Sequence, residues 1–321
     1  MDRHGLICRS IWENPHITQR EMAQRLSLSL GTVNHLIKEC IALGYVKPDD
    51  EKSYLLTAEG RAFLGQFKVD GAVVLAAGFG SRFVPLTFET PKGLLEVFGE
   101  RMVERQIRQL HEAGVRDITV VVGYLKEKFE YLIDKYQVKL LYNPEYSCKN
   151  TLATVYHARD LFKGRNVYLL SSDNWLRENM YHAYECGSWY SLAHADGETS
   201  EWCVSFNKKG RITGAAVGGR DSWFMYGPVY FSREFSKDFF PVLERYYEMP
   251  GTEQFYWEHV LMEILNGECE RRLSHAGVSL PDGWKEPEMF ANCQPENQVY
   301  EFENLEELRE FDPWYQSHSD N

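Results

Sequence analysis

The apolar positions in the first 68 residues recur with helical spacing, and short polar turns separate the helices that they predict. Two helices are predicted over Leu6–Glu13 and from about Leu30 to Leu43. A helix between them opens at a capping box formed by Thr18 and Glu21. A hairpin of two short strands and a further short helix follow from Tyr45 onwards. The pattern therefore predicts a small first domain, residues 1–68, built as helix, turn, helix and hairpin.

After residue 68 the pattern changes to buried strands that alternate with helices. The run 69–77 is almost continuously apolar, which is typical of a strand covered on both faces of a parallel sheet. Further strands are predicted at 118–122, 139–142 and 166–171, and helices over about 102–113, 126–135 and 152–162. This alternation predicts an α/β fold with a Rossmann-like, doubly wound mixed sheet as the second domain, residues 69–321.

Composition and charge narrow the function classes. The net charge is −12, but residues 1–68 carry +1, so the second domain carries −13 and is not suited to coat nucleic acid or anionic lipid. No apolar run reaches the roughly 20 residues that a membrane helix needs, and the first ten residues lack the apolar stretch of a signal peptide. The seven cysteines are scattered and form no C-x-x-C pair. We therefore expect a cytoplasmic protein with reduced thiols and no membrane partner.

A glycine-rich loop ends the first predicted strand of the second domain and reads Leu75-Ala-Ala-Gly-Phe-Gly-Ser-Arg82, with Thr-Pro-Lys92 after it. Gly78 and Gly80 let the backbone turn sharply and bring its N–H groups close to phosphate oxygens. Arg82 and Lys92 add positive charge. The loop has neither the Walker pattern nor G-x-G-x-x-G, so it predicts a triphosphate site that is not that of an ATPase or a dinucleotide enzyme.

These two motifs resemble the signature of the nucleotide-sugar pyrophosphorylase type of nucleotidyltransferase. Within that superfamily, residues 70–312 are most similar to the bacterial CTP:phosphocholine cytidylyltransferases. Other segments match the family pattern in order: Val122-Gly-Tyr-Leu-Lys126, Tyr142-Asn-Pro-Glu-Tyr146, Asn150 with Thr154, Ser172-Asp-Asn174, Ser200-Glu-Trp202, Tyr256-Trp-Glu258 and Val299-Tyr-Glu-Phe-Glu303. Two features depart from it. Glu303 stands where the family usually has Asp, and the stretch 275–298 is longer and richer in Pro and Gly than expected.

The resemblance implies a catalytic set of Arg82, Lys92 and Asp173. Asp173 follows a predicted strand at the carboxyl edge of the sheet, where open α/β folds bind ligands. With Glu303 it would hold Mg²⁺, which takes one or two carboxylates together with phosphate oxygens. A phosphate monoester is largely dianionic at pH 7, so it can attack the α-phosphate of a nucleotide without a general base. The resemblance also implies a nucleotide site, formed by Leu75, Ala76, Ala77, Gly78, Gly80, Ser81, Arg82, Gly123 and Asn150.

Aromatic and acidic residues fall where the family has its choline pocket. These are Glu201, Trp202, Tyr226, Tyr256, Trp257 and Glu258. Aromatic faces attract a quaternary ammonium without hydrogen-bond donors, which favours phosphocholine as the acceptor. The acids leave an alternative open, because a primary amine such as that of 2-aminoethylphosphonate or phosphoethanolamine needs hydrogen-bond acceptors. The predicted substrates are therefore CTP and a phosphorylated amino alcohol, with phosphocholine favoured.

The first domain resembles the winged helix-turn-helix domains of many bacterial regulators, over residues 4–67. It raises a second hypothesis, a DNA-binding regulator that uses the transferase fold as a ligand sensor. The predicted third helix offers Asn34, His35 and Lys38 to a DNA groove, but the predicted wing tip, 48–52, carries three acidic residues that would repel phosphates. DNA binding is therefore weakly supported, and contact with another protein or formation of a homodimer is left open.

Overall fold

The computed structural model describes residues 1–49 and 53–318. It divides the chain into two compact units. The first consists of Met1–Val69 together with Ala183–Gly187, and the second begins at Asp70 and holds the remaining chain. The predicted wing tip lies largely at 50–52, outside the described residues. The sequence boundary after residue 68 is close to that of the structure, but it missed the distant segment 183–187.

The first unit has the predicted order of elements. Its described elements are α1 Arg3–Glu13, α2 Gln19–Arg25, α3 Leu30–Ala42, β1 Val46–Pro48, β2 Tyr54–Leu56 and α4 Ala58–Gly65. The predicted capping box of α2 is confirmed, because the hydroxyl of Thr18 accepts from the N–H of Glu21 at 3.3 Å and the carboxylate of Glu21 accepts from the N–H of Thr18 at 2.8 Å. Strands β1 and β2 pair antiparallel, with Val46 opposite Leu56.

The core of the first unit closes around α1 and the segment 183–187. Cys186 is buried, and its carbonyl accepts a 2.6 Å hydrogen bond from the N–H of Asp2, the residue that caps α1. Glu185 is buried too and accepts from Arg9 of α1 at 2.6 Å. A Cβ on Gly5 would lie only 2.8 Å from Sγ of Cys186, so glycine is required where α1 meets this segment. The winged unit is therefore completed by five residues from the middle of the chain.

The second unit consists of one large sheet with helices and several short pieces. Its described strands and α-helices are β3 Gly71–Ala76, β4 Glu96–Val97, β5 Glu100–Arg101, α5 Met102–Glu112, β6 Ile118–Val122, α6 Tyr131–Tyr136, β7 Lys139–Tyr142, α7 Thr151–Ala158, β8 Val167–Ser171, β9 Asn174–Leu176, β10 Trp189–Phe206, β11 Ile212–Phe231, α8 Arg233–Glu248, α9 Trp257–Leu265, α10 Cys269–His275, β12 Phe290–Cys293, β13 Val299–Glu301, α11 Leu305–Phe311 and α12 Trp314–His318. Short 3₁₀ helices span Ser81–Phe83, Leu86–Phe88, Lys92–Leu94, Lys126–Phe129 and Arg159–Leu161.

The main sheet is mixed, as predicted, with the strand order β12-β10-β11-β8-β3-β6-β7. Strand β3 lies between β8 and β6 and pairs parallel with both, and β7 continues the parallel part. Strand β11 is antiparallel to both β8 and β10, and the edge strand β12 pairs parallel with β10. Because β3 and β8 are parallel neighbours, the loops that follow them leave the same edge of the sheet.

The strands after residue 171 were not predicted from the sequence. Strands β10 and β11 form a long antiparallel hairpin that continues beyond the main sheet and contains several register shifts. The stretch 275–298, which is longer than the family pattern predicts, runs from the end of α10 through an irregular segment into β12. Strand β12 lies at the edge of the sheet beside β10. Trp284 in this stretch donates its indole N–H to the carbonyl of Asp238 in α8 at 2.9 Å. Within the described ranges, no helix is long and apolar enough to cross a membrane.

Candidate active site

A cavity of about 680 Å³ opens in the second unit at the carboxyl ends of β3 and β8. The glycine-rich loop, the 3₁₀ helix that begins at Lys92, and Asp173 after β8 form one wall. The start of α7, the hairpin β10–β11 and the start of α9 form the rest. All residues that the sequence analysis assigned to the catalytic, nucleotide, acceptor and metal sites line this cavity except Gly123.

The glycine-rich loop takes the sharp turn that its sequence indicated. Gly80 has φ +63°, a left-handed conformation that favours glycine, and a Cβ there would lie 3.0 Å from Cβ of Lys92. The carbonyl of Gly80 accepts from the hydroxyl of Thr87 at 2.9 Å, which ties the loop to the segment before Lys92. Gly123 lies behind the cavity wall, where a Cβ would come within 2.7 Å of the carbonyl oxygen of Ala77. Its role is close backbone packing under the loop.

Each of the two cations predicted to neutralise phosphate forms an ion pair with a predicted metal ligand. Nζ of Lys92 lies 2.6 Å from a carboxylate oxygen of Asp173, and both side chains are largely buried. Arg82 pairs with Glu303, and both of these side chains are exposed. The four groups that the sequence assigned to phosphates and metal thus form two ion pairs.

Glu301 is the carboxylate that lies beside Asp173, and the sequence reasoning missed it. It accepts from the side-chain amide of Asn174 at 3.0 Å, because β13 pairs with β9 and sets these two residues opposite each other. Burial raises the pKa of the Glu301 carboxyl, and the negative charge of Asp173 raises it further. Strand alternation could have indicated it, since 299, 301 and 303 share a face, but surrounding acids suggested a solvated surface instead.

The other end of the cavity is aromatic and acidic. Trp202 and Tyr256 meet edge to face with ring centroids 5.5 Å apart. Tyr256 is 43% exposed, whereas Trp257 is only 3% exposed and belongs to the core, where it stacks on Tyr190. Tyr226 exchanges hydrogen bonds with the backbone of Glu301, so its hydroxyl helps to position that residue. The open aromatic surface is therefore made mainly by Trp202 and Tyr256.

Glu258 is the acid at this aromatic end. Oε1 accepts a 3.3 Å hydrogen bond from the hydroxyl of Tyr190, while Oε2 is inaccessible to solvent and has no hydrogen-bond partner among the described residues. Burial raises the pKa of the Glu258 carboxyl to about 8, and the charge of Glu301 adds to the rise. A buried carboxylate oxygen without a partner is costly unless a cation binds next to it. This end of the cavity is therefore suited to a positively charged group.

Asn150 and its neighbours form the wall between the two ends. The side chain of Asn150 caps α7 by accepting from the N–H of Thr151 at 2.8 Å. Its own N–H donates to the carbonyl of Glu253 at 2.9 Å, close to the start of α9. Lys149, which the sequence reasoning did not select, also lines the cavity and is held by Glu145 at 2.8 Å.

Comparison with known proteins agrees with this geometry. A nucleotidyl transferase family model matches residues 71–186, and a winged helix-turn-helix DNA-binding model matches residues 4–47. The chain is 36% identical over 192 residues to the 2-aminoethylphosphonate cytidylyltransferase of Lancefieldella rimae, which covers 59% of this chain and 78% of that protein. It is 26% identical over 241 residues to the choline-phosphate cytidylyltransferase of Streptococcus pneumoniae, covering 75% of this chain and 96% of that protein.

One solved structure is similar to this chain over most of its length. The CTP:phosphocholine cytidylyltransferase of Streptococcus pneumoniae superposes with a TM-score of 0.66 at 26% identity, over 77% of this chain and 99% of that one. The mixed sheet and the loops at its carboxyl edge are therefore those of a known enzyme fold, and a winged helix-turn-helix precedes them in this chain.

Proposed function

The chain belongs to the nucleotidyltransferase family, and on that premise we propose that it transfers CMP from CTP to phosphocholine, giving CDP-choline and pyrophosphate. One observation carries the proposal. A single cavity contains a glycine-rich phosphate loop with two cations at one end and open aromatic rings with a buried acid at the other. This arrangement fits two substrates whose phosphate groups meet in the middle of the cavity, with the ammonium group of the acceptor at the aromatic and acidic end.

The reaction needs in-line positioning and charge neutralisation. An oxygen of the acceptor phosphate attacks the α-phosphorus of CTP and forms the new P–O bond, while the bond from that phosphorus to the bridging oxygen of the β-phosphate breaks. Pyrophosphate leaves with that electron pair. Because the acceptor phosphate is already dianionic, no side chain has to remove a proton. Arg82 and Lys92 bind the phosphates of CTP through charge-assisted hydrogen bonds and hold the α-phosphorus facing the acceptor.

Magnesium dependence is part of the proposal. Asp173 and Glu303 both line the cavity and offer one carboxylate each, a hard oxygen donor set that suits Mg²⁺. Within residues 1–49 and 53–318, no group of three or more His, Cys, Asp or Glu side chains is arranged to hold a metal ion. When bound, the metal would supply neutralisation of the phosphate charge. Glu301 is a third carboxylate nearby.

The head group of phosphocholine would lie against Trp202 and Tyr256, whose faces attract a quaternary ammonium. Glu258 would balance its positive charge. The relative and the solved structure from Streptococcus pneumoniae, which together cover most of this chain, support choline phosphate as the acceptor.

A second acceptor, 2-aminoethylphosphonate, is favoured by one specific observation. The unpartnered Oε2 of Glu258 can accept a hydrogen bond from a primary ammonium, whereas a trimethylammonium has no N–H to donate. The relative from Lancefieldella rimae that is named for this substrate is 36% identical to the chain. The chemistry at the α-phosphorus is the same for both acceptors.

The test is a matrix of pyrophosphate release. Purified full-length protein with Mg²⁺ is assayed with CTP, UTP, ATP and GTP, each against phosphocholine, 2-aminoethylphosphonate and phosphoethanolamine. We expect turnover with CTP, led by phosphocholine. A lead of about tenfold or more by an aminoethyl acceptor, equivalent to about 1.4 kcal/mol, would transfer the assignment to the second candidate. Absence of turnover with CTP and every acceptor would refute the function.

A further inference from the structure

Lys149 is a third basic residue of the cavity wall, beside Arg82 and Lys92. Among the described residues, the lysines and arginines that line the cavity are Arg82, Lys92 and Lys149. The first two belong to the phosphate-loop wall. Lys149 belongs to the opposite segment, 146–151, which begins α7. Its side chain is 22% exposed.

The segment that carries Lys149 connects the two ends of the cavity. At one end, the ring of Tyr146 packs on that of Phe79 in the glycine-rich loop, with centroids 5.4 Å apart. At the other end, the N–H of Trp257 donates to the hydroxyl of Thr151 at 3.2 Å, next to the aromatic and acidic end. Lys149 lies between these contacts. The phosphate of an acceptor must also lie between them, because its oxygen attacks the α-phosphate while its ammonium reaches the far end.

Lys149 is held in place by a dedicated set of contacts. Its Nζ lies 2.8 Å from Oε1 of Glu145 and 4.0 Å from the centre of the Tyr247 ring. The other oxygen of Glu145 accepts from Tyr247 at 2.5 Å and is 2.8 Å from Nε2 of His157. The ring of Tyr247 stacks on that of Tyr156 at 3.5 Å. The lysine is thus held by Glu145, which precedes α7, and by Tyr247 of α8, and residues of α7 hold these two in turn.

The carboxylate that holds Lys149 stays charged over the whole physiological range. Partial burial raises the pKa of Glu145, but hydrogen bonds from Lys149, Tyr247 and His157 outweigh that effect and lower the pKa to about 2. The same hydrogen bond with Glu145 raises the pKa of Lys149. The Lys149 ammonium is therefore charged as well, and it has three N–H donors, so it can give a charge-assisted hydrogen bond to an acceptor phosphate while it keeps its contact with Glu145.

We propose that Lys149 binds the phosphate or phosphonate group of the acceptor, with Glu145 and Tyr247 as positioning residues. This proposal rests on the proposed function, the transfer of CMP from CTP to the phosphate of an amino alcohol or to an aminophosphonate. It separates the cations by substrate: Arg82 and Lys92 serve the nucleotide, and Lys149 serves the acceptor.

The main experiment compares steady-state kinetics of the wild type, Lys149→Met and Lys149→Arg with CTP and phosphocholine or 2-aminoethylphosphonate. In Lys149→Met we expect KM for the acceptor to rise at least about tenfold, because a charge-assisted hydrogen bond is lost, while KM for CTP changes by less than about threefold. Lys149→Arg should recover most of the acceptor affinity. The matched control is Lys126→Met, since Lys126 also lies 4.0 Å from the centre of a tyrosine ring, that of Tyr142, but does not line the cavity.

Free choline separates a phosphate contact from a general disturbance of the cavity. It carries the head group without phosphate, so its inhibition constant against the acceptor should be the same in the wild type and Lys149→Met. An equal loss for choline and phosphocholine would contradict the proposal, and so would a rise in KM confined to CTP. If the wild type turns over and Lys149→Met keeps its acceptor KM, the proposal fails while the proposed function stands.

A second measurement needs no substitution and no turnover. In the wild type, CTP and phosphocholine together should protect Lys149 from acetylation by acetic anhydride, as read by peptide mass spectrometry, and CTP with choline should not. Lys126 should be acetylated equally in both samples. Equal acetylation of Lys149 with phosphocholine and with choline would overturn the proposal even if Lys149→Met does not fold.

Discussion

The two ends of the cavity treat charge in opposite ways. At the phosphate end, Lys92 pairs with Asp173, and Arg82 pairs with Glu303, so cations and carboxylates already satisfy each other. At the head-group end, one oxygen of Glu258 is buried without a partner among the described residues. The first end must exchange ion-pair partners when nucleotide and metal bind, whereas the second gains a partner that it lacks.

The two ends therefore differ in how much binding free energy a charged ligand group can contribute. If the metal and the phosphates of CTP bind at the phosphate end, breaking its ion pairs costs part of their binding free energy. We therefore expect CTP and the metal to bind best together. A cation at the head-group end relieves a buried acid, and its contribution is therefore not offset in the same way. Substitutions at the two ends should consequently affect different kinetic constants.

The largest effect is expected at Asp173. Asp173→Asn removes the charge that we propose binds the metal and also releases Lys92, so kcat should fall on the order of 10³-fold while KM for the acceptor changes little. The measurement is pyrophosphate release under saturating substrates, with thermal unfolding as the check on the fold. A variant that keeps more than about a tenth of the wild-type kcat would show that Asp173 has no catalytic role.

The second effect distinguishes Glu301 from Glu303 as the carboxylate that binds the metal. Each is changed to Gln, and the concentration of Mg²⁺ giving half-maximal rate is measured. We expect Glu303→Gln to raise that concentration by about 10–100-fold, because it removes a direct ligand. Glu301→Gln should lower kcat with a smaller change in metal requirement, since Glu301 is fixed by Asn174 beside Asp173. The reverse pattern would assign the metal to Glu301.

The third effect follows from the raised pKa of Glu258. Below pH 8 this carboxyl carries a proton in the free protein, and a bound cation favours the ionised form. The kcat/KM for the acceptor should therefore rise between pH 6.5 and about 8 and then level off. Glu258→Gln should lower kcat/KM about tenfold at pH 8 and remove the rise. An unchanged pH profile in the variant would mean that Glu258 does not face the head group.

A smaller effect is expected at Trp202. Trp202→Ala should cost about 0.5–2 kcal/mol of acceptor binding, and phosphocholine should lose more than 2-aminoethylphosphonate because a trimethylammonium has no N–H to donate to Glu258 and depends more on the aromatic faces. The comparison of kcat/KM for both acceptors in wild type and variant checks this. Equal losses would indicate that Trp202 shapes the wall without selecting the head group. Trp257 is unsuitable for this test because it is a core residue.

The smallest effect concerns the winged unit. Residues 1–68 carry only +1 charge, so we expect weak and salt-sensitive DNA binding, with no specific complex at physiological salt. Fluorescence anisotropy with a random duplex at two salt concentrations measures this, and Lys38→Ala tests the exposed face of α3. Nanomolar affinity for a defined duplex at physiological salt would contradict the expectation and revive the regulator hypothesis.

The sequence predicted those features that depend on local pattern. The winged helix order, the capping box of α2, the parallel strands and the loop at Gly78 and Gly80 all leave a mark in spacing or residue type. The features that were missed depend on distant contacts. Lys149 is held by the ring of Tyr247, and the segment 183–187 joins the winged unit, although neither relation follows from neighbouring residues. Glu301 was hidden among other acids, and only its pairing beside Asn174 separates it from them.

On the proposed function, this cavity joins CMP to the phosphate of a phosphorylated amino alcohol. The most direct test incubates the protein with CTP, phosphocholine and Mg²⁺ and detects the nucleotide product by mass spectrometry, with Asp173→Asn as the matched control. The account predicts CDP-choline and an equal amount of pyrophosphate from the wild type, and a rate on the order of 10³ lower from the variant. Pyrophosphate without a CDP-linked product, or equal product from both proteins, would contradict it.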